Sequence, residues 1–130
     1  MNKLIVSALL AGLATATVPA FAEDYASGAI KTMDTAKGEV LTDAKGMSLY
    51  TFDKDAAGVS NCYGDCAVKW PPVTAAAGAM ADDEFSLVTR KDGSQQWAFK
   101  GMPLYLWQGD KKPGDVSGDG VGGVWHLAKE

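Results

Sequence analysis

Shifted by 55 positions, the sequence matches itself without a gap. Lys45-Gly46-Met47 and Leu49-Tyr50 fall on Lys100-Gly101-Met102 and Leu104-Tyr105. Gly38 falls on Gly93, Asp55 on Asp110 and Trp70 on Trp125, and Phe52 meets Trp107, aromatic on aromatic. These eight identities over residues 38–70 exceed the roughly two that average composition would give. We read two copies of one supersecondary unit, about residues 29–73 and 84–128. A unit of about 45 residues buries too little apolar surface to stand alone. The halves are therefore expected to share one core about a pseudo-twofold axis, as a single domain spanning 23–130.

Each copy reads as antiparallel strands, so the expected fold class is all-β or mostly β. In the second copy FSLVTR, a turn at Lys91-Asp92-Gly93-Ser94, QQWAFK, a turn at Lys100-Gly101 and MPLYLW follow one another. In the first copy AIKTM, EVLTD and MSLYTF repeat that order around turns at Ala36-Lys37-Gly38 and Ala44-Lys45-Gly46. Side chains alternate along a strand, so Met47 and Leu49 point one way and Tyr50 and Phe52 the other. Met102, Leu104 and Leu106 oppose Tyr105 and Trp107 in the same manner. Both faces are apolar, which predicts central strands covered on both sides. VWHLA at 124–128 is expected to close the sheet. Its counterpart VKWPPV carries Pro71-Pro72, which lack a donor and belong at an edge. AAAGAMADD at 75–83 is the linker, with room for a short helix weakened by Gly78.

The N-terminus reads as a secretory leader over 1–22, with Lys3, an uncharged apolar run over 4–16 and the small-x-small site Ala20-Phe21-Ala22. Removing it takes the formal charge from −4 to −5, because Lys3 leaves and no acidic residue does. That balance argues against nucleic acid or an anionic membrane as partner, since both need a basic footprint. The largest basic clusters, Arg90-Lys91 and Lys111-Lys112, read as solvated turns. No later segment approaches the roughly 20 apolar residues of a membrane span. The expected location is the periplasm or the exterior.

Tyr50-Thr-Phe52-Asp-Lys-Asp55 and Tyr105-Leu-Trp107-Gln-Gly-Asp110 both fit Y-x-[FWY]-x-x-D. With that motif the chain resembles the bacterial secreted-repeat family, often described as predicted lipoproteins, whose function is unassigned. The resemblance covers nearly all of 23–130, including Ser60-Asn61-Cys62, Cys66, Trp70-Pro71-Pro72 and the tail from Lys112-Pro113-Gly114-Asp115 to Trp125. It implies little chemistry. Glu23 rather than a lipidation Cys stands directly after the expected cleavage site, which favours soluble residence over a lipid anchor. Tyr50 and Tyr105 are expected to bury their rings and seek a partner for each hydroxyl. Asp55 and Asp110 stand where their strands stop and are expected to fix turns through backbone N–H groups. The alternative, a paired acid site, requires the two carboxylates to converge across the pseudo-axis.

Cys62 and Cys66 are the only cysteines. In an exported chain an even count predicts a disulfide. A redox-active pair is the alternative, although the spacing is not that of thioredoxin-like motifs and no helical pattern begins at Cys62. Asp115, Ser117 and Asp119 have the alternate oxygen spacing of the first half of a Ca²⁺ loop. Position twelve is His126 rather than Glu, so a weak calcium site competes with a plain Gly-rich turn. Met47, Met102 and the lone His126 form the soft set a copper site would need. No nucleophile–base pair or phosphate loop can be argued, so an enzyme is not expected. The leading expectation is a non-enzymatic exported module for an unknown envelope partner or small ligand. Its contact surface would be Tyr50, Phe52, Trp70, Tyr105, Trp107 and Trp125, if these are exposed. A redox or metal (copper or calcium) accessory protein of the cell envelope is the alternative.

Overall fold

A computed structural model describes residues 21–130. The leader expected over 1–22 lies outside the described residues except for Phe21 and Ala22, whose backbone opens the first strand. In order the strands are β1 (Phe21–Tyr25), β2 (Ile30–Thr35), β3 (Gly38–Asp43), β4 (Tyr50–Phe52), β5 (Phe85–Thr89), β6 (Gln95–Phe99), β7 (Met102–Pro103) and β8 (Trp125–Leu127). All strand pairings are antiparallel, as the alternating pattern predicts. Short 3₁₀ turns occupy Ala26–Gly28 and Val121–Gly123. Among the described residues, no helix is long and apolar enough to cross a membrane.

The hairpin β2–β3 of the first half corresponds to β5–β6 of the second, and two loop lengths differ in compensating senses. Thr35 pairs with Gly38 around a two-residue loop, whereas the Arg90 N–H to Ser94 C=O bond closes a loop of three residues (Lys91, Asp92, Gly93). The next turn reverses this. The Asp43 N–H reaches Met47 C=O around three residues, and Phe99 pairs with Met102 around two. The 55-residue offset therefore holds at both ends of the unit and becomes 56 inside β3 and β6. Gly38 is consequently equivalent to Ser94 rather than to Gly93, a correction to the ungapped match.

The halves interlock through backbone hydrogen bonds. At the centre Tyr50 N–H donates to Tyr105 C=O at 2.8 Å and Tyr105 N–H donates to Tyr50 C=O at 2.9 Å. The pseudo-axis passes between them. On the outer side β8, from the second half, pairs with β4 of the first, Tyr50 opposite Leu127 and Phe52 opposite Trp125. Symmetrically, Pro72 of the first half bridges to Tyr105, and Pro71 C=O accepts the Leu106 N–H at 2.7 Å. Each half is thus completed by the last strand of the other.

Two closed triangles of backbone bonds tie these exchanged strands to the hairpins. Leu49 N–H bonds Leu41 C=O, Leu41 N–H bonds Ala128 C=O, and Ala128 N–H returns to Leu49 C=O, at 3.0, 2.9 and 2.8 Å. In the second half Leu104, Trp97 and Val73 repeat the cycle in the same sense at 2.9, 2.8 and 3.0 Å. All six residues lie in one buried cluster with Ile30, Phe85 and Phe99. Tyr50, Tyr105, Phe52, Trp70, Trp125 and Leu127 form a second cluster on the other face. Leu49, Tyr50, Leu104 and Tyr105 are fully buried, so the two LY segments are covered on both sides, as their two apolar faces require.

The sequence reading needs two corrections. The linker holds a turn at 76–79 rather than a helix. A short helix, α1 (Asp65–Lys69), forms instead around Cys66. The disulfide loop runs into it, and the Cys66 N–H and Trp70 N–H donate to the Tyr63 and Cys66 carbonyls at 3.2 and 2.8 Å.

Because the β4–β8 sheet, the Tyr50–Tyr105 pairing and both clusters are shared between the halves, unfolding is expected to be a single transition in denaturant, followed by circular dichroism and Trp fluorescence. Leu49→Ala and Leu104→Ala should each cost about 2–5 kcal/mol while keeping one transition. Two resolved steps would contradict the interlocked topology.

Candidate functional site

The motif residues become intelligible once the strands are paired. After each aromatic the chain turns back, Asp55 N–H to Phe52 C=O at 3.0 Å and Asp110 N–H to Trp107 C=O at 3.1 Å. This returns each carboxylate toward the axis, where it meets the tyrosine of the other half. The Tyr50 hydroxyl donates to Asp110 Oδ2 at 2.7 Å and the Tyr105 hydroxyl donates to Asp55 Oδ2 at 2.7 Å. The remaining oxygen of each carboxylate takes a backbone N–H from the next loop, Asn61 at 2.7 Å for Asp55 and Ser117 at 3.0 Å for Asp110. Tyr50 and Asp55 do not bond each other; the signature is satisfied in trans between the copies.

A second donor feeds each phenol oxygen. Gly118 N–H donates to the Tyr50 oxygen at 3.1 Å, while Ser60 Oγ lies 2.6 Å from the Tyr105 oxygen and itself accepts from Arg90 Nη1 at 3.0 Å. Burial, reinforced by the carboxylate partner, holds both tyrosine hydroxyls well above the ordinary phenol range. Burial also raises Asp55, against the opposing pull of Tyr105, Asn61 and Arg90.

Beside these pairs runs a ladder of four aromatic rings. Trp70 and Trp125, equivalent residues of the two halves, stack at 3.8 Å and 2°. Phe52 stacks on Trp125 at 4.2 Å, and Trp107 lies against Trp70 at 4.1 Å with its ring tilted by 31°. Tyr50 meets Trp70 edge-on at 5.4 Å, and Tyr105 meets Trp125 at 5.2 Å. The order is Phe52, Trp125, Trp70, Trp107, with each outer rung supplied by the opposite half from its inner neighbour. The third motif position must be aromatic because it is an end rung. A Cβ at Gly118 would approach Tyr50, Trp70 and Trp107 to 2.9–3.0 Å, so only glycine fits where amide, phenol and indoles converge. Of the six aromatics expected to offer a contact surface, only Trp107 reaches solvent appreciably.

Cys62 and Cys66 form the disulfide, with Cα atoms 5.2 Å apart. Beside it Arg90 is buried rather than solvated. It bonds Gln96 Oε1 and Cys62 C=O at 2.8 Å each and lies 4.3 Å over the Tyr63 ring. Away from the ladder, an open cleft of about 960 Å³ is walled by the linker 76–82, with Trp97 and Leu106 below and Lys45 and Asp43 beside it.

Profiles of known families place this arrangement. The profile described as a secreted repeat of unknown function, Lipoprotein_15, matches residues 31–74 and again 86–129. The chain belongs to this secreted-repeat family. Its two matched segments coincide with the two interlocked halves. No curated protein matches the chain, nor does any solved structure.

The other site residues read from this secreted repeat do not gather. Asp115 accepts from Lys111 N–H and Lys112 N–H and pairs with Lys112 Nζ. Ser117 Oγ donates to Asp110, and Asp119 accepts from Leu127 N–H and Lys37 Nζ. The three oxygens of the supposed calcium loop serve three separate turns. His126 is exposed and bonds Asp53 at 2.9 Å, while Met47 and Met102 are half-buried at equivalent turns. The bonding roles of Ser60, Asn61, Gln96 and Gly118 went unread, and Arg90 was expected to be solvated. Alternation could have found Arg90, which stands two residues beyond buried Val88 and so shares its face.

Two outcomes test this site. In double-mutant cycles, Tyr50→Phe with Asp110→Asn should show coupling, whereas Tyr50→Phe with Asp55→Asn should be near additive. Each single change, like Asp55→Ala or Asp110→Ala, should cost about 1–3 kcal/mol by leaving a buried partner unmatched. The Leu127 N–H, then Lys37, hold Asp119 below the usual 3.8. Its contribution is complete above that value and is lost as the pH falls through the depressed folded-state pKa. Asp119→Asn should therefore lower the melting temperature at pH 7, with the gap closing in acid below 3.8.

Proposed function

We propose that this secreted repeat is a non-enzymatic binding module of the bacterial envelope, resident in the periplasm or outside the cell, and that the linker cleft receives its ligand. The cleft carries the reading. The motif aromatics and acids are consumed by contacts between the halves, whereas the recess under residues 76–82 is an open concave surface with an apolar lining. Its wall is alanine-rich, its floor holds Trp97 and Leu106, and Met80 stands on it 79% exposed. An exposed methionine on an apolar wall suits a flexible apolar occupant. Lys45 supplies a positive charge at the rim, while the Asp43 and Asp82 carboxylates that also line the cleft accept backbone N–H groups of Lys45, Met47 and Ala26. The fitting ligand class is an elongated apolar chain with an anionic end.

Titration of ¹⁵N,¹³C-labelled protein with dodecanoate, below its micelle concentration, is expected to shift the Trp97 indole and Met80 methyl signals saturably. Ala79→Trp, which fills the recess, should remove the effect. Absence of saturable shifts at these residues would refute the reading.

A further inference from the structure

We propose that the aromatic ladder is a one-electron relay that carries an oxidising equivalent from the surface at Trp107 to the buried Tyr50–Asp110 pair. The assignment is independent of the cleft. It rests on three features of the ladder that packing alone does not require.

First, the rungs are oxidisable and close. Trp107, Trp70 and Trp125 stack in series at 4.1 and 3.8 Å, so an electron crosses from ring to ring at contact distance. Second, the ladder has one usable entrance. Pseudo-symmetry would supply two outer rungs, but one is Phe52, 8% exposed, and a benzene ring is far harder to oxidise than indole. The other is the half-buried Trp107, against whose indole nitrogen edge the Gly109 backbone packs closely. A Cβ there would come within 2.3 Å of Nε1. Third, a proton acceptor waits at the end. Tyr50 touches Trp70 edge-on at 5.4 Å and points its hydroxyl at the Asp110 carboxylate at 2.7 Å. Phenol oxidation requires loss of the phenolic proton, and this hydrogen bond gives it a destination.

The step balances as follows. An outer-sphere one-electron oxidant at the Trp107 edge takes one electron and is reduced. Trp70 returns an electron to the Trp107 radical cation, and Tyr50 returns one to Trp70. As Tyr50 loses that electron its hydroxyl proton moves along the hydrogen bond to Asp110. The products are the reduced oxidant, a neutral tyrosyl radical and a neutral carboxylic acid, with both indoles restored. Gly118 N–H, 3.1 Å from the phenol oxygen, stays bonded to it throughout.

Flash-quench oxidation of the intact exported protein with photogenerated tris(bipyridine)ruthenium(III), read by electron paramagnetic resonance, tests the relay. The wild type should give a neutral tyrosyl signal. Trp107→Phe copies the rung present at Phe52, so it keeps the stack while removing the oxidisable entrance, and most of the tyrosyl signal should be lost with little change in melting temperature. Tyr50→Phe should replace the tyrosyl signal with a tryptophan radical or a weaker one at Tyr105. Tyr25→Phe and Tyr63→Phe, outside the ladder, should leave the signal intact. Equal tyrosyl yield in wild type and Trp107→Phe, or loss of the signal in Tyr25→Phe or Tyr63→Phe, would overturn the proposal.

Discussion

The reciprocal backbone pair between Tyr50 and Tyr105 governs this molecule. It sets the register of two antiparallel strands about the pseudo-axis, and every other symmetric contact inherits that register. A slip of one residue would carry both phenols to the opposite face. Tyr50 would then lose Asp110, Tyr105 would lose Asp55, and the end rungs would leave the Trp70–Trp125 stack. Leu49 and Leu104 would exchange places with the tyrosines and empty the first cluster. Few single pairings in so small a domain commit both of its cores at once.

Around that shared centre the two phenol sites, first that of Tyr105 and then that of Tyr50, differ in what supports the hydroxyl. In one, Ser60, Arg90 and Gln96 form a buried polar chain next to the disulfide. In the other, the position equivalent to Gln96 is the buried Val40, and a loop amide at Gly118 takes the place of the serine. The disulfide belongs to the first half and borders the guanidinium that the second half buries beside the Tyr105 phenol. There it closes the segment delivering Ser60, Asn61 and the Cys62 carbonyl to their partners. A buried cation with one missing partner is costly, so a covalent clamp on that segment has an evident use. Among the described residues, no cation is buried at the Tyr50 phenol and no disulfide borders it.

The repeat, the β class, the central LY strands and the cysteine pairing were legible because each leaves a local mark: a fixed offset, an alternating pattern, an even cysteine count. The exchange of last strands was not, since two copies of one pattern look the same whether each closes on itself or on its twin. That ambiguity hid the trans pairing of Tyr and Asp and the partner of every rung. Arg90 was read as solvated because it adjoins Lys91-Asp92-Gly93, although its place just past β5 on the face of Val88 outweighed its charge once Ser60, Gln96 and Cys62 C=O stood ready. The helix α1 was missed because five residues carry too little periodicity to register, and the cleft because a linker of alanines has no pattern at all.

Tyr25 hydrogen-bonds the side chain of Glu130, so the start of the described chain and its last residue meet at one point on the surface. The linker joins the halves at another. In a molecule whose two parts are closed by each other's final strands, these two junctions are interchangeable in principle. A bridge from Glu130 to Glu23 with a cut at Gly78 would reverse the order of synthesis while leaving both triangles and all four rungs in place. Nothing in the packing records which half is made first.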